Sequence, residues 1–433
     1  MIVQLLLITF ASICVFLLLQ GVMQRGAIYQ YPFLVGAVFT GFVLPQLVGL
    51  SSDPFLPPGG LEKTLIMAIL AATMCWAGTR LVSRPWQAFN WDYDQRKLVY
   101  VSAALSLLGA YFYYAISRLP PEMTESSQWT GLPVAYLFFA RTLTYGFAIA
   151  VLLFARSGSR IALLWALFGA TFYFDRIVIG GRRADLIEFI TIILMATWFQ
   201  RNRCLPRPLM FAGLFLGALF VNSTGEYRSV TMTEEGPQWN RVGDIDFVGN
   251  TERLTKEGGS ELRNAVYIIS AVDRSMKLDF GAFHWNMLVF TYVPAQIVGT
   301  ELKDSLYLPL SDPAFEEFQY RPSNGSTVTG LSDAFQSFWY FGCIKFLLIA
   351  VIMQKLWLAA RSGSTTAQLL YMLLPVQAMQ AVTHYTNNFL MPWPHMAIFL
   401  LPALLLARRA QMSQLRSNPG RLRRPARTLE NRA

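Results

Sequence analysis

The chain has 433 residues, of which 54% are hydrophobic and only 14% charged. A soluble domain carries about 25% charged residues. Here the charges gather in short stretches between long apolar runs, which excludes an ordinary soluble enzyme and predicts an all-α, polytopic helical membrane protein. The net charge of +10 lies in short loops and near the C-terminal end, a pattern that speaks of membrane sidedness rather than of a nucleic-acid partner.

In chain order, the apolar runs predict spans at about 2–20, 32–50, 62–82, 98–116, 132–154, 161–176, 184–200, 205–222, 334–354, 366–384 and 388–407, eleven or twelve by the roughly 20-residue criterion. The first run, Ile2 to Leu19, has no basic start and no small-residue cleavage site, so it is expected to be a retained span rather than a signal peptide. The chain then divides into N-terminal transmembrane helices (1–222), a large polar loop (223–333), C-terminal transmembrane helices (334–407) and a basic tail (408–433). The tail carries Arg408, Arg409, Arg416, Arg421, Arg423, Arg424, Arg427 and Arg432, and the positive-inside rule assigns it to the cytoplasm. Counting backwards, the loops holding Lys355 and Arg361, Arg201 to Arg207, Arg156 and Arg160, residues 83–97, and Arg25 fall on that same side. The other side receives 51–60, 117–131, 175–183, the long loop and 384–388. The four cysteines, Cys14, Cys75, Cys204 and Cys343, all lie outside the long loop, so no structural disulfide is expected.

The stretch from Asp175 to Glu188 breaks the charge rule. It places Arg176, Arg182 and Arg183 on the side that otherwise avoids basic residues, so topology does not account for them; a ligand site and simple anchoring of the helix end are the two readings left. Gly180-Gly181 permits a turn, Arg182 and Arg183 open a helix, and Asp185 and Glu188 follow on its first turns. Free N–H groups at a helix start, reinforced by guanidinium groups, suit a phosphate or diphosphate. Asp185 is expected to pair with one of the arginines, and Glu188 lies deeper.

The long loop, roughly 110 residues, exceeds a simple connection and reads as a functional lid or small subdomain. It opens on Glu226-Tyr227-Arg228, whose arginine is placed to reach the same mouth. Asp244-Ile245-Asp246 matches the D-x-D of metal-dependent sugar transferases, but three residues in an acid-rich loop are a weak match; no other metal or nucleotide motif is present, and no metal or other cofactor is expected. After Ser260, a helical pattern runs from Glu261 to Lys277, with Leu262, Val266, Ile269, Val272 and Met276 on an apolar stripe and Arg263, Tyr267, Ser270, Arg274 and Lys277 on the facing one. Such a helix is expected to lie on the membrane surface or to roof a cavity. Phe283 to Val298 is apolar but short and interrupted by Pro294, which suits a re-entrant or interfacial segment. It holds His284, a candidate proton acceptor beside a cationic cavity. Asp333 precedes the next span, either as a helix cap or as a second acid–base candidate. His384 and His395 flank the last loop on this side and rank behind them.

Taken together, these stretches resemble the Wzy-type O-antigen and exopolysaccharide repeat-unit polymerases. The resemblance rests on Gly180-Gly181-Arg182-Arg183-Ala184-Asp185-Leu186, on Glu261-Leu262-Arg263-Asn264 through Phe280-Gly281, on Tyr292-Val293-Pro294 to Lys303, and on Phe335 to Lys345 with Phe341-Gly342. It covers about the second half of the chain. Ala295-Gln296 stands where the family pattern has a basic residue after the proline, and Phe283-His284-Trp285 replaces a small-residue/Tyr pattern.

The resemblance implies a helical GT-C-like membrane fold, shared with the O-antigen ligases, with one large periplasmic loop. It implies a bacterial inner-membrane enzyme whose site faces the periplasm and whose substrate is an undecaprenyl-diphosphate-linked oligosaccharide. An acceptor hydroxyl attacks the anomeric carbon and the lipid diphosphate leaves. Arg176, Arg182, Arg183 and Arg228 are then diphosphate-binding candidates, His284, Glu226 and Asp333 alternative bases, and Asp185, Glu188, Arg263 and Arg274 supporting residues. No metal is needed if the arginines stabilise the leaving group. A chain-length regulator protein and membrane lipids are the implied partners, and nucleic acid is not among them. Two alternatives stay open: a ligase-like transferase with a different acceptor, and a lipid-glycan or anion transporter, although transporters are often built from repeated halves and no repeat is visible. Sidedness is directly testable. Cysteines introduced at Ser323 and Thr124 are expected to react with an impermeant thiol reagent in intact spheroplasts, and one at Ser413 is expected to stay unlabelled until lysis.

Overall fold

The computed structural model describes residues 1–409 apart from 89, 125–130, 234–235 and 324. The tail arginines from Arg416 onward, and Ser413, therefore lie outside the described residues. Within them the chain is helical, and its one strand-like pairing is an isolated bridge between Tyr93 and Arg408. Among the described residues eight helices are long and apolar enough to cross a membrane: Ile2–Met23, Tyr31–Leu50, Gly60–Arg80, Gln95–Ser117, Leu132–Ser157, Arg160–Ile179, Gly330–Arg361 and Thr386–Ala407. A ninth is added if Arg207–Asn222 and Thr224–Thr231, bent by 64° at Ser223, form one span. The protein is thus a multi-pass helical membrane protein, with fewer such helices than the eleven or twelve expected.

Against the eleven stretches expected, the bent pair accounts for the one at 205–222, and two further stretches account for the rest of the difference. The helix Arg183–Arg201 has 19 residues, but Arg183, Asp185, Glu188 and Arg201 interrupt its apolar run. The stretch expected at 366–384 is two nine-residue helices, Thr365–Leu373 and Pro375–Thr383. Pro375 has no N–H to continue the ladder, and its ring crowds the preceding turn.

Apolar side chains cannot drive helix association among lipid tails, so close approach and interhelical hydrogen bonds do it instead. Gln95–Ser117 and Leu132–Ser157 show how. A Cβ on Gly109 would stand 2.5 Å from Leu143, and one on Gly146 would stand 2.2 Å from the Ser106 hydroxyl. Ser102 donates to the Gly146 carbonyl at 2.8 Å, and Thr142 to that of Leu105 at 3.2 Å. Gly78 likewise admits Leu347 and Ala350 of the 330–361 span.

That 330–361 span is interrupted. The helix Gly330–Phe338 stops at Trp339, a 3-10 turn covers Trp339–Cys343, and the helix resumes over Ile344–Arg361. Trp339 has φ 51° and ψ −140°, a conformation that costs a bulky residue about 1–3 kcal/mol. The surroundings hold it there. The Trp339 indole donates to Asp273 Oδ1 at 3.0 Å, and Asp273 is paired with Lys63 at 2.5 Å. Burial alone would raise the Asp273 carboxyl, but its hydrogen bonds from Lys63 and Trp339 hold it below its ordinary value. On the other side of the turn Gly342 passes so near Ala334 that a Cβ would lie 1.8 Å from its carbonyl oxygen.

Asp273 belongs to the loop helix Ser260–Ser275, whose apolar face is covered by protein. It is packed into the body against Gly60–Arg80 and Gly330–Phe338, with Leu262, Ala265, Val266, Ile269 and Val272 buried. Two members of the expected stripes change places. Ser270 is buried and donates to the Val266 carbonyl at 2.6 Å, because Gly60 of the neighbouring span lies directly against it. Met276 is 55% exposed, because the helix ends at Ser275 and Met276 itself turns left-handed, φ 52°. The next helix, Ala282–Tyr292, has 11 residues and is too short to cross a bilayer alone.

The turn at Gly342 makes a stability prediction. Gly342→Ala forces a methyl into a backbone carbonyl and is expected to cost at least about 2 kcal/mol. Gly213→Ala meets nothing within 4 Å and is expected to be neutral or slightly stabilising. Thermal unfolding in detergent, read side by side for the two variants, checks this.

Candidate functional site

The bend after Arg160–Ile179 positions the first part of the site. Gly181 has φ 54°, and a side chain there would press on Tyr227 and Arg228. The turn aims the three arginines differently. Arg176, with a side chain only 14% exposed, lies 3.6 Å from Asp185. It donates to the Tyr113 hydroxyl at 2.5 Å and stacks over the Tyr173 ring at 4.6 Å. Its Nε and one terminal nitrogen are buried without a partner, which leaves most of its donor fork unused. Tyr173 in turn donates to Glu188 at 2.9 Å, which Gln377 also hydrogen-bonds. Arg183 donates to the Val221 carbonyl at 3.1 Å and lies over Phe42 at 5.8 Å, while the charges of Glu261 and Arg228 act on it. Arg228 reaches back to the Gly181 carbonyl at 3.4 Å. Arg182 is exposed, so the expected pair is split: one arginine turns into the protein and its neighbour out of it.

The second part sits at the interruption of the 330–361 span. Asp333, 5% exposed, accepts from the Thr386 backbone at 2.5 Å and from its hydroxyl at 2.8 Å. Lys345, just beyond the turn, reaches back with its side chain 16% exposed and lies 3.7 Å from Asp333. Its ammonium donates to Ser337 at 2.8 Å and meets His284 Nε2 at 2.5 Å. Burial first, and then the Lys345 ammonium, push the His284 ring down to about 3. As a general base His284 is therefore badly placed: its Nε2 already faces a cation, and a proton taken there would not be held.

Three consecutive residues connect the two parts. His384 feels the charge of Arg183, the Tyr385 ring packs on Phe283 at 4.8 Å, and Thr386 holds Asp333. This segment thus bonds directly to Asp333 at Thr386, while the charge of Arg183 acts on it at His384.

Other sequence candidates lie apart from this line. Glu226 is exposed and accepts from Asn250 at 2.5 Å, with no contact joining it to His284 or Asp333. Arg263 is paired with Asp53 at 2.9 Å and ties the loop helix to residues 51–60. Arg274 lies on the Phe318 ring at 4.7 Å. His395 has both ring nitrogens engaged, by Tyr145 and by the Phe138 carbonyl at 2.7 Å each, and is a packing residue. Asp246 of the D-x-D stretch caps the helix Phe247–Glu257 by accepting from Gly249 at 2.8 Å. Among the described residues no three His, Cys, Asp or Glu side chains converge as a metal site would require.

Lys345 is the residue that sequence reasoning passed over. A lysine inside an apolar run is itself a signal, since an intramembrane charge is costly to keep. Thr386, Ser337 and Tyr113 carried no such signal. Comparisons with family models, with curated proteins and with solved structures found no match.

The Asp333–Lys345 pair makes a stability prediction of its own. Removing one partner leaves the other charge buried, so Asp333→Ala is expected to cost about 3–5 kcal/mol. The double variant Asp333→Ala/Lys345→Met is expected to recover part of that loss, because the orphaned ammonium goes too. Denaturant titration in detergent of the single and double variants measures the coupling.

Proposed function

We propose that this protein is a membrane glycosyltransferase that polymerises undecaprenyl-diphosphate-linked oligosaccharide repeat units into O-antigen or exopolysaccharide, with a GT-C-like fold, in the bacterial inner membrane, its site facing the periplasm and its C-terminus the cytoplasm. The observation that carries the reading is a cationic cluster whose buried Arg176 has unused donors, together with a buried acid, Asp333, held at Thr386 in the segment on which the charge of Arg183 acts. A transfer from a lipid diphosphate to a hydroxyl needs both ends, one for the departing negative charge and one for the acceptor's proton.

In this reading Arg176 and Arg183, with Arg228 behind them and Arg182 at the mouth, hold the diphosphate. Arg176 brings unused N–H groups, and Asp185, Tyr113 and Tyr173 fix the orientation of its guanidinium plane. As the anomeric C–O bond breaks, the leaving oxygen's charge falls on these donors. The acceptor oxygen bonds to the anomeric carbon, and its proton passes to Asp333, the candidate acid that remains when His284 is held neutral and Glu226 lies apart. Arg263 and Arg274 support the loop rather than the substrate. No metal is needed for these steps. A chain-length regulator protein would act on this enzyme from outside the site.

The arginines test it. A guanidinium grips phosphate oxygens bidentately and an ammonium does not, so losing one such contact should cost roughly 2–4 kcal/mol in the transition state, about a hundredfold or more in rate. Arg183→Ala and Arg176→Ala are expected to leave membrane insertion intact and to abolish long chains, with single repeat units accumulating on the lipid carrier or on the final acceptor, while Arg183→Lys stays partly active. Gel analysis of glycan length beside immunoblots of the protein reads this. Normal polymer from an Arg176→Ala/Arg183→Ala double variant at normal protein level would sink the reading. Loss of single-unit product as well, with precursor assembly intact, would point to ligation or transport.

A further inference from the structure

We propose that His284 acts as a fixed, neutral hydrogen-bond donor, presenting Nδ1–H to an anionic oxygen of the bound ligand, with Lys345 as the positioning residue that sets its tautomer. The identity of that ligand as a lipid diphosphate rests on the function proposed above; the tautomer does not.

A neutral imidazole has one donor and one acceptor nitrogen, and its partners decide which is which. Lys345 Nζ stands 2.5 Å from Nε2. An ammonium donates and never accepts, and the same group donates to Ser337 and faces Asp333, so Nε2 is the acceptor and the proton sits on Nδ1. The Thr386 hydroxyl lies 3.3 Å from Nε2, but its own proton goes to Asp333 at 2.8 Å. It offers only a lone pair, and that longer contact does not outweigh a cation a full step closer.

Nδ1 is then an N–H, and it is buried with no partner. A buried donor left without an acceptor is a standing cost that a ligand oxygen removes. The charges around the ring select which oxygen. Lys345 and Asp333 face it from the broken span, Asp279 acts on both of these from before the Ala282–Tyr292 helix, and Tyr385 packs on the adjacent Phe283. The nearest of these charges is the ammonium, which favours an anionic oxygen over a neutral hydroxyl. The ring's depressed affinity for a second proton, down to about 3 through burial and then Lys345, agrees with a donor that stays neutral across the physiological range. His284 thus donates to an anionic ligand oxygen and takes no proton.

The chain has three histidines, so ¹⁵N-histidine labelling of the full-length protein in detergent or nanodiscs gives a countable spectrum, and the His284→Asn variant assigns its peaks. The expected result is a protonated Nδ1 and an unprotonated Nε2 from about pH 8 down to about pH 5, with inorganic pyrophosphate shifting Nδ1 and a neutral methyl glycoside leaving it unmoved. Lys345→Met should release the lock, so that His284 titrates toward its ordinary value of about 6.5. His284→Asn, whose amide nitrogen falls near the place of Nδ1, should keep pyrophosphate binding within about threefold, and His284→Gln should lose tenfold or more. A protonated Nε2, an imidazolium near pH 6, no response to pyrophosphate, or a response to the glycoside alone would overturn the proposal. If the tautomer and the pyrophosphate response hold while the purified protein makes no polymer, the polymerase reading fails and the donor stands. If polymer forms and the tautomer is wrong, the donor fails alone.

Discussion

The turn at Trp339 is the constraint from which the rest of the molecule can be understood. A helix crossing an apolar medium keeps its backbone hydrogen bonds to itself, and non-helical backbone at that depth survives only where protein surrounds it. Here the surroundings come from far away in sequence. Lys63 of the third apolar helix pairs with Asp273 of the long loop, and Asp273 accepts from the Trp339 indole. Gly342 closes the other side of the turn by lying against the Ala334 backbone. Because the helix restarts at Ile344, Lys345 points back across the turn to Ser337, Asp333 and His284. In an uninterrupted helix, residues twelve positions apart would be more than three turns distant, and no such cluster would form.

The long loop consequently belongs to the membrane body. Its helix Ser260–Ser275 buries one face against two spans and supplies Asp273 to the turn. Arg263 fastens the other end to Asp53, and Asn264, buried, bonds Ser326, the Thr327 carbonyl and Tyr320. A loop that only covered a site would be free to open, whereas this one carries part of the support for the broken span. Substitutions in its buried face should therefore act on the site through the turn at Trp339.

Charge is distributed on the same logic. The described site brings several ionisable groups into poorly solvated positions, and each is matched by a partner: Arg176 by Asp185 and two tyrosines, Glu188 by Tyr173 and Gln377, Asp333 by Thr386 and Lys345. Two of the ionisable side chains among the described residues of the site keep buried nitrogens without a partner. Arg176 has N–H groups to spare, and on the proposed tautomer His284 has one more; acceptor oxygens would complete both. A diphosphate is rich in these.

The sequence by itself determined that this chain crosses a membrane many times, because apolar runs of span length and scarce, clustered charges survive any detail of packing. It also offered Arg176, Arg182, Arg183, Arg228, Glu226, His284 and Asp333 as candidates, the first three because they stand on the side that otherwise avoids basic residues. The number of long apolar helices and the site's architecture came from tertiary structure. Pro375 and the charges of Arg183–Arg201 altered the count in ways a hydropathy average hides. Ser270 and Met276 exchanged their expected surroundings because Gly60 and the left-handed turn at Met276, both invisible to periodicity, decide which face is covered. Only the fold brought His284, Asp333 and Lys345 together, because the contact between them depends on a backbone break whose supports are scattered over more than two hundred residues between Lys63 and Trp339.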